Sequence, residues 1–206
     1  MSEIFQTIGI DLDNTIIDYE LSIKALCRDH YPTLNLVESS KEELKSAITN
    51  SLGNKEWTKC QSLLYGQYVE FAELYSSAAK TISSLQKNGW EVQIISHKTE
   101  TSISGSMIPL REIAEKWLLE KLSPVFQSRY ELKSKIHFCN SIDEKISKIL
   151  SLKCKAFVDD LHLVLSLLPK DINRYWIFQN QSDDKNGITA VQDWEDLYRN
   201  VIQSND

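Results

Sequence analysis

Carboxylates, a hydroxyl and a lysine recur in this chain at or near places where apolar runs end. The run Ile8-Gly9-Ile10 leads into Asp11-Leu12-Asp13-Asn14-Thr15. Residues i and i+2 of a strand point to the same face, so Asp11 and Asp13 share one. Side by side they repel each other without a counter-ion, and a divalent cation is the simple remedy. Such a pair standing alone would serve equally well as one turn cap and one solvated acid. This pair has company. Val92-Gln93-Ile94-Ile95 ends in the hydroxyl of Ser96, and Ala156-Phe157-Val158 ends in Asp159-Asp160. Ahead of the latter stands Ser141-Ile142-Asp143-Glu144-Lys145, whose S-x-x-E spacing predicts a capping box with Ser141 as the N-cap. Lys145 then falls in or just past the first turn, where a cation opposes the helix dipole by up to about 1 kcal/mol. A solvated surface lysine is the alternative. Lys148 lies one turn deeper, farther from the strand ends.

These groups form one site only if the elements carrying them are neighbours. Short apolar strands alternate with helical stretches, which predicts a parallel α/β sheet. Strands are expected at Ile8–Leu12, Glu91–Ser96, Ile136–Phe138, Ala156–Asp159 and Arg174–Phe178. Ligands of open α/β sheets sit beyond the carboxyl ends of the strands, and the chemistry-bearing residues fall there. From about Asp18 to Ser77 the pattern is helical with no convincing strand; Leu63, Leu64, Tyr68, Phe71, Ala72 and Tyr75 recur at helical spacing. That is too long for a single crossover, and a small helical subdomain is its natural use. Gly66 within this run marks either a close backbone approach or a kink. Ser76–Asn88 is the expected crossover helix, closed by Gly89. A loose loop, Thr99–Ser106, precedes a helix at Pro109–Leu122 with Pro109 in its first turn, and a last helix is expected around Val191–Ile202. The aromatic stripes of these helices are core packing.

Composition narrows the partners. The chain has 206 residues, 42% hydrophobic and 25% charged, which suits one sizeable core or a core with a small subdomain. A net charge of −6 opposes general nucleic-acid binding and a polybasic membrane anchor. No apolar run approaches the length of a bilayer span, and the start of the chain lacks the pattern of a signal peptide. Cys27, Cys60, Cys139 and Cys154 are scattered rather than paired, as expected of ordinary thiols in a reducing cytoplasm.

In type, order and strand placement, the functional residues resemble the haloacid dehalogenase superfamily of aspartate-nucleophile phosphohydrolases. Its four motifs are met by Asp11-Leu12-Asp13-Asn14-Thr15, by Ser96 in place of the commoner Thr, by Lys145, and by Asp159-Asp160. The long interval from Asp13 to Ser96 falls where that family inserts a helical cap. The resemblance implies a Rossmann-like three-layer core with a mainly parallel sheet, from residues 1–17 and 78–206, and a cap from residues 18–77. It implies a phosphatase acting on a small phosphorylated metabolite. Asp11 would be the nucleophile, Asp13 the acid and base, Ser96 a donor to a phosphoryl oxygen, and Lys145 the charge that steadies the nucleophile. Mg²⁺ is the implied cofactor, with Asp11, the backbone carbonyl of Asp13 and Asp160 as ligands, and Asp159 beside the ion or one layer behind its ligands. Thr15, His97 and Lys98 are candidate substrate contacts; His97 and Lys98 could equally pack against their neighbours. Trp57, Gln61 and Tyr65 of the cap are candidate contacts to the leaving group, or packing within the cap. A phosphotransferase or mutase would use the same motifs, and a non-catalytic binding module would keep only the fold.

Overall fold

The computed structural model describes residues 6–34, 40–102 and 107–203. The chain enters on β1 (Gln6–Ile10) and reaches a two-residue strand, β2 (Ile17–Asp18). Three helices follow: α1 (Glu20–His30), α2 (Lys41–Leu52) and α3 (Asn54–Tyr65). A 3-10 turn, Gln67–Phe71, leads into β3 (Glu73–Leu74), which pairs antiparallel with β2. The remainder runs α4 (Ala78–Lys87), β4 (Trp90–His97), α5 (Leu110–Lys121), α6 (Arg129–Ser134), β5 (Ile136–Cys139), α7 (Ile142–Ser151), β6 (Ala156–Asp159), α8 (His162–Leu167), β7 (Asn173–Ile177), β8 (Ile188–Val191) and α9 (Trp194–Gln203). The main sheet has the order β5-β4-β1-β6-β7-β8, and every neighbouring pair in it is parallel.

The two-residue period of the strands divides the core into two layers. Ile94 and Val158 face the side where α4 and α9 pack, with Ile82, Leu85, Trp194, Leu197 and Val201. Their neighbours Ile95 and Phe157 face the other side, against Ile149 of α7 and Val164 and Leu165 of α8. Gly9 of β1 lies where these layers are tightest. A Cβ there would stand 2.6 Å from the Phe157 ring, so the sheet's centre closes only around a residue without one.

The residues between β2 and β3 have their own apolar interior, including Ile23, Leu26, Leu44, Ile48, Trp57, Cys60 and Leu64. It is continuous with the main core through Val69, Ala72, Trp117 and Leu118, and Trp117 Nε1 donates to the Ala72 carbonyl at 3.3 Å. Ser40 and Glu43 form a reciprocal capping box that starts α2.

Several expected boundaries shift. The continuous helical run through Tyr75 breaks at Gly66, whose Cβ would meet the Ser62 carbonyl at 2.7 Å and Ile108 at 2.8 Å. Close backbone approach is therefore the role of this glycine. The segment 18–77 does contain strand: β3, with the end of β2, forms a ribbon too short to leave a period-two pattern. A sixth strand, β8, was not expected from Ile188-Thr189-Ala190-Val191. It is a four-residue edge strand, and Val191 belongs to it rather than to α9. Pro109 sits at the N-cap, one residue before the first turn of α5. The crossover helix is α4, and Gly89 behind it adopts φ +81°, as its capping role requires. Residues 103–106 of the expected loop lie outside the described residues. Among the described residues, no helix is long and apolar enough to cross a membrane.

Candidate active site

The carboxyl ends of β1 and β6 lie side by side, joined by Asp11 N–H donating to the Val158 carbonyl at 2.9 Å. This register carries Asp11 and Asp159 to the same edge. One carboxylate oxygen each of Asp11, Asp159 and Asp160 lies within 4.8 Å of the other two. Lys145 enters from α7. Ser141 caps that helix, accepting from Glu144 N–H, and the lysine reaches back toward the helix start as long helical side chains do. Its Nζ donates to Asp11 Oδ1 at 2.5 Å and to Asp159 Oδ2 at 2.7 Å. Lys145 is 2% exposed and Asp159 fully buried. One ammonium therefore bonds two of the three carboxylates, and the crowding shows in the protonation of Asp11 and Asp160. Burial pushes Asp11 well above the ordinary carboxylate value; Lys145 opposes this, while Asp159, Asp160 and Asp13 add to it. Asp160 is pushed up to about 7, by burial first and then by Asp159. Lys145 is pulled up by Asp11 and Asp159 against its own burial, and so remains charged.

Asp13 has a different setting. Its carboxylate stands outside the three-carboxylate group and is gripped by Lys98, at 2.9 Å, and by the Tyr19 hydroxyl, which donates at 2.5 Å. Burial raises its pKa, but Lys98, Tyr19 and Lys41 together hold it below the ordinary value. Lys98, 4% exposed, is thus spent on a carboxylate. Its backbone carbonyl accepts from Arg111 Nε at 2.8 Å, and Arg111 also donates to the Asn140 side chain at 2.7 Å. One arginine of α5 thereby ties the segment after β4 to the one after β5. Glu144 completes that corner, accepting from Asn140 rather than from the N-cap nitrogen, so only half of the expected capping box forms.

A cavity of about 490 Å³ opens over these groups. Asp11, Asp13, Asp160, His97, Lys98 and Lys145 form its floor. The other side comes from α2 and α3, with Lys41, Lys45, Trp57, Thr58, Gln61 and Tyr65. All three residues singled out between β2 and β3 thus face the cavity. His97 is exposed, and its Nε2 lies 3.2 Å from the Asn140 carbonyl. Ser96 and Thr15 do not line the cavity. Both are buried, and the hydroxyl of each has no hydrogen-bond partner. The Thr15 carbonyl accepts from Trp194 Nε1 at 3.2 Å. Tyr19, Lys41, Asn14 and Arg111 are parts of this neighbourhood that sequence reasoning missed. Asn14 was visible as the fourth residue of the first motif; its amide donates to Asp160 Oδ2 at 3.2 Å. The other three belong to helices or their approaches, and nothing in their local sequence distinguishes them from solvated residues.

No family model matches the sequence, and no curated protein does. Solved structures do. The chain is similar to a haloacid dehalogenase-like hydrolase from Streptococcus pneumoniae, with a TM-score of 0.62 at 11% identity over 98% of this chain and 100% of that one. It is similar to a predicted phosphatase from Clostridium acetobutylicum, with a TM-score of 0.59 at 14% identity over 97% and 99%. A third likeness is to the HAD-hydrolase YfnB from Bacillus subtilis, described as bound to magnesium, with a TM-score of 0.57 at 14% identity over 96% and 98%. The chain has the Rossmann-like α/β fold of haloacid dehalogenase-like proteins.

Proposed function

We propose that this protein is a Mg²⁺-dependent phosphatase that hydrolyses a small phosphomonoester through an aspartyl-phosphate. The observation that carries this reading is the buried contact of Lys145 with both Asp11 and Asp159, beside Asp160 and on the floor of a cavity. A lysine so placed keeps a nucleophilic carboxylate charged while an anionic substrate approaches. The names borne by proteins of the same fold agree with it.

The donor set fits magnesium. It is all oxygen and compact, and its carboxylates Asp11 and Asp160 are raised in pKa by burial first and by neighbouring carboxylates second, both of which a cation would offset. Asp11 and Asp160 would hold the ion. Asp159 is the less available, since Oδ2 already accepts from Lys145 and Oδ1 from Leu161 N–H. A bound Mg²⁺ supplies charge neutralisation to the carboxylates and to the phosphoryl group.

In the first step an Asp11 oxygen bonds to phosphorus and the ester P–O bond breaks. The leaving oxygen takes a proton from Asp13 and departs as the alcohol. In the second step water bonds to phosphorus, the Asp11–phosphorus link breaks, and Asp13 takes the water's proton. Lys98 and Tyr19 favour the ionised Asp13 that the second step needs. A phosphoryl dianion arriving nearby raises the Asp13 pKa toward the protonated form that the first step needs. Ser96 lies behind the cavity lining; its buried hydroxyl without a partner is the one sign that supports it as a donor to a phosphoryl oxygen.

Residues 18–77 act in this reading as a cap over a core of 1–17 and 78–206. The cavity volume suits a small phosphorylated metabolite. The four buried free thiols suit a cytoplasmic setting. The test is phosphate release from an aryl phosphate and a panel of phosphorylated metabolites with Mg²⁺ present. Turnover that Asp11→Asn removes supports the reading; ligand binding without turnover on any ester favours a non-catalytic module.

A further inference from the structure

Four cations face the site, and they are differently employed. Lys145 is bound to Asp11 and Asp159, and Lys98 to Asp13. Lys41 and Lys45 line the same cavity, and among the described residues neither has an ion-pair partner. Glu42, between them in sequence, is exposed at the cavity edge.

The position of Lys41 is electrostatically awkward. It is the first residue of α2, where a cation opposes the helix dipole. Lys45 is one turn further on, and like charges at i and i+4 repel. The ring of Tyr65 offsets part of this. Lys41 Nζ lies over it at 5.5 Å from the centroid, and Lys98 Nζ at 4.6 Å. The Tyr65 ring in turn meets the Tyr19 ring edge-on at 5.2 Å, and Tyr19 holds Asp13. One aromatic side chain of α3 therefore seats a lysine from each side of the cavity. Lys41 is held charged against its burial first by Tyr65, whose hydroxyl it can reach as well as its ring, and then by the carboxylates of Asp160 and Asp13.

The charge balance shows what Lys41 is left to do. Lys145, Lys98 and one divalent cation together match Asp11, Asp13, Asp159 and Asp160. On the core side the two negative charges of a phosphoryl group then meet neutrality. We propose that Lys41 is a substrate-binding residue, donating to an oxygen of the bound phosphoryl group, and that Tyr65 is its positioning residue. This rests on the phosphomonoester reading above. It adds that residues 18–77 carry one of the cations that receive the phosphate.

The experiment is calorimetric titration of the full chain with inorganic phosphate in Mg²⁺, alongside KM and kcat on an aryl phosphate. Lys41→Met is expected to weaken phosphate binding by about 10-fold or more and to raise KM, as loss of a charge-assisted hydrogen bond does. Lys41→Arg recovers most of it. Tyr65→Leu shifts phosphate affinity in the same direction by a smaller factor, and Tyr65→Phe, which keeps the ring, by less. Lys45→Met stays within about 3-fold of wild type. Lys41→Gln is the second variant should the methionine perturb folding, which a melting curve reports. Phosphate affinity unchanged in both Lys41 variants overturns the proposal. So does an equal loss in Lys45→Met, which would mean a diffuse field, or no phosphate binding by the wild-type chain at millimolar concentration. Hydrolysis with Lys41-independent phosphate affinity sinks this inference alone. Lys41-dependent phosphate binding with no hydrolysis of any ester sinks the phosphatase reading alone.

Discussion

The two sides of the cavity hold their polar groups in opposite ways. On the core side, Asp11, Asp159 and Lys145 are buried, fixed by strand ends and a capped helix, and bonded to one another. On the side of α2 and α3, Lys41, Lys45 and Gln61 stand on helices whose backbone joins the core through a ribbon of two residue pairs. The first arrangement is pre-organised, with low dielectric and little freedom to relax, as a site for bond-making needs. The second is tied to the core by less backbone, and suits substrate binding rather than bond-making. If the contrast is functional, core changes should act on turnover and stability, and cap changes on affinity.

The largest expected effect is on turnover. Asp11→Asn should lower kcat on an aryl phosphate by on the order of 10⁴-fold, since the nucleophilic charge is gone while the shape remains. Its melting temperature should not fall, because the mutation relieves a crowded buried carboxylate. Near wild-type kcat would mean another nucleophile. Removal of metal comes next: excess chelator should abolish phosphate release and Mg²⁺ restore it. Full activity in chelator, with no metal retained by elemental analysis, would break the metal assignment.

Lys145→Met should destabilise the fold by about 3–5 kcal/mol in chelator, measured by denaturant unfolding, because it leaves buried Asp11 and Asp159 without their cation. Mg²⁺ should recover part of that loss, since it supplies the missing counter-charge; an equal deficit with and without Mg²⁺ would separate the lysine from the metal site. Gly9→Ala should cost about 1–3 kcal/mol through its contact with Phe157, with turnover changed little at temperatures where the protein is folded. The smallest effect is expected on the side of α2 and α3. Gln61→Ala should alter KM by a few-fold (about 1 kcal/mol) and differently for different esters, leaving kcat nearly constant. A drop in kcat without a change in KM would erase the division between the two sides.

The sequence was most informative where strands are covered on both faces. Such strands are continuous apolar runs, so their ends are sharp, and Asp11, Ser96 and Asp159 stand out as polar residues at those ends. Lys145 was legible through Ser141, whose cap fixes where the helix starts and hence which way the lysine points. Lys98 was seen as a basic neighbour of the site, but its partnership with Asp13 spans elements far apart in the chain. Tyr19, Lys41 and Arg111 were not legible at all, because only the packing of α1, α2 and α5 brings them to the cavity. The edge strand β8 escaped for another reason: its two buried residues, Ile188 and Val191, stand three apart and pack into different core layers, which leaves no period-two pattern.

The ribbon of β2 and β3 has a consequence for how such a molecule could be built. Ile17 pairs with Leu74 and Asp18 with Glu73, so the chain leaves the core and re-enters it at adjacent points. Antiparallel neighbours need only a two-residue turn to join them. A hairpin there would complete the same ribbon without α1, α2 and α3, and the order of the parallel strands would be untouched. The segment is therefore a cassette: its ends match any other segment that begins and finishes on paired residues. Exchange at this junction would carry Asp11, Asp13, Lys145, Asp159 and Asp160 unchanged beside a different segment, provided that the new segment keeps a hydroxyl where Tyr19 holds Asp13.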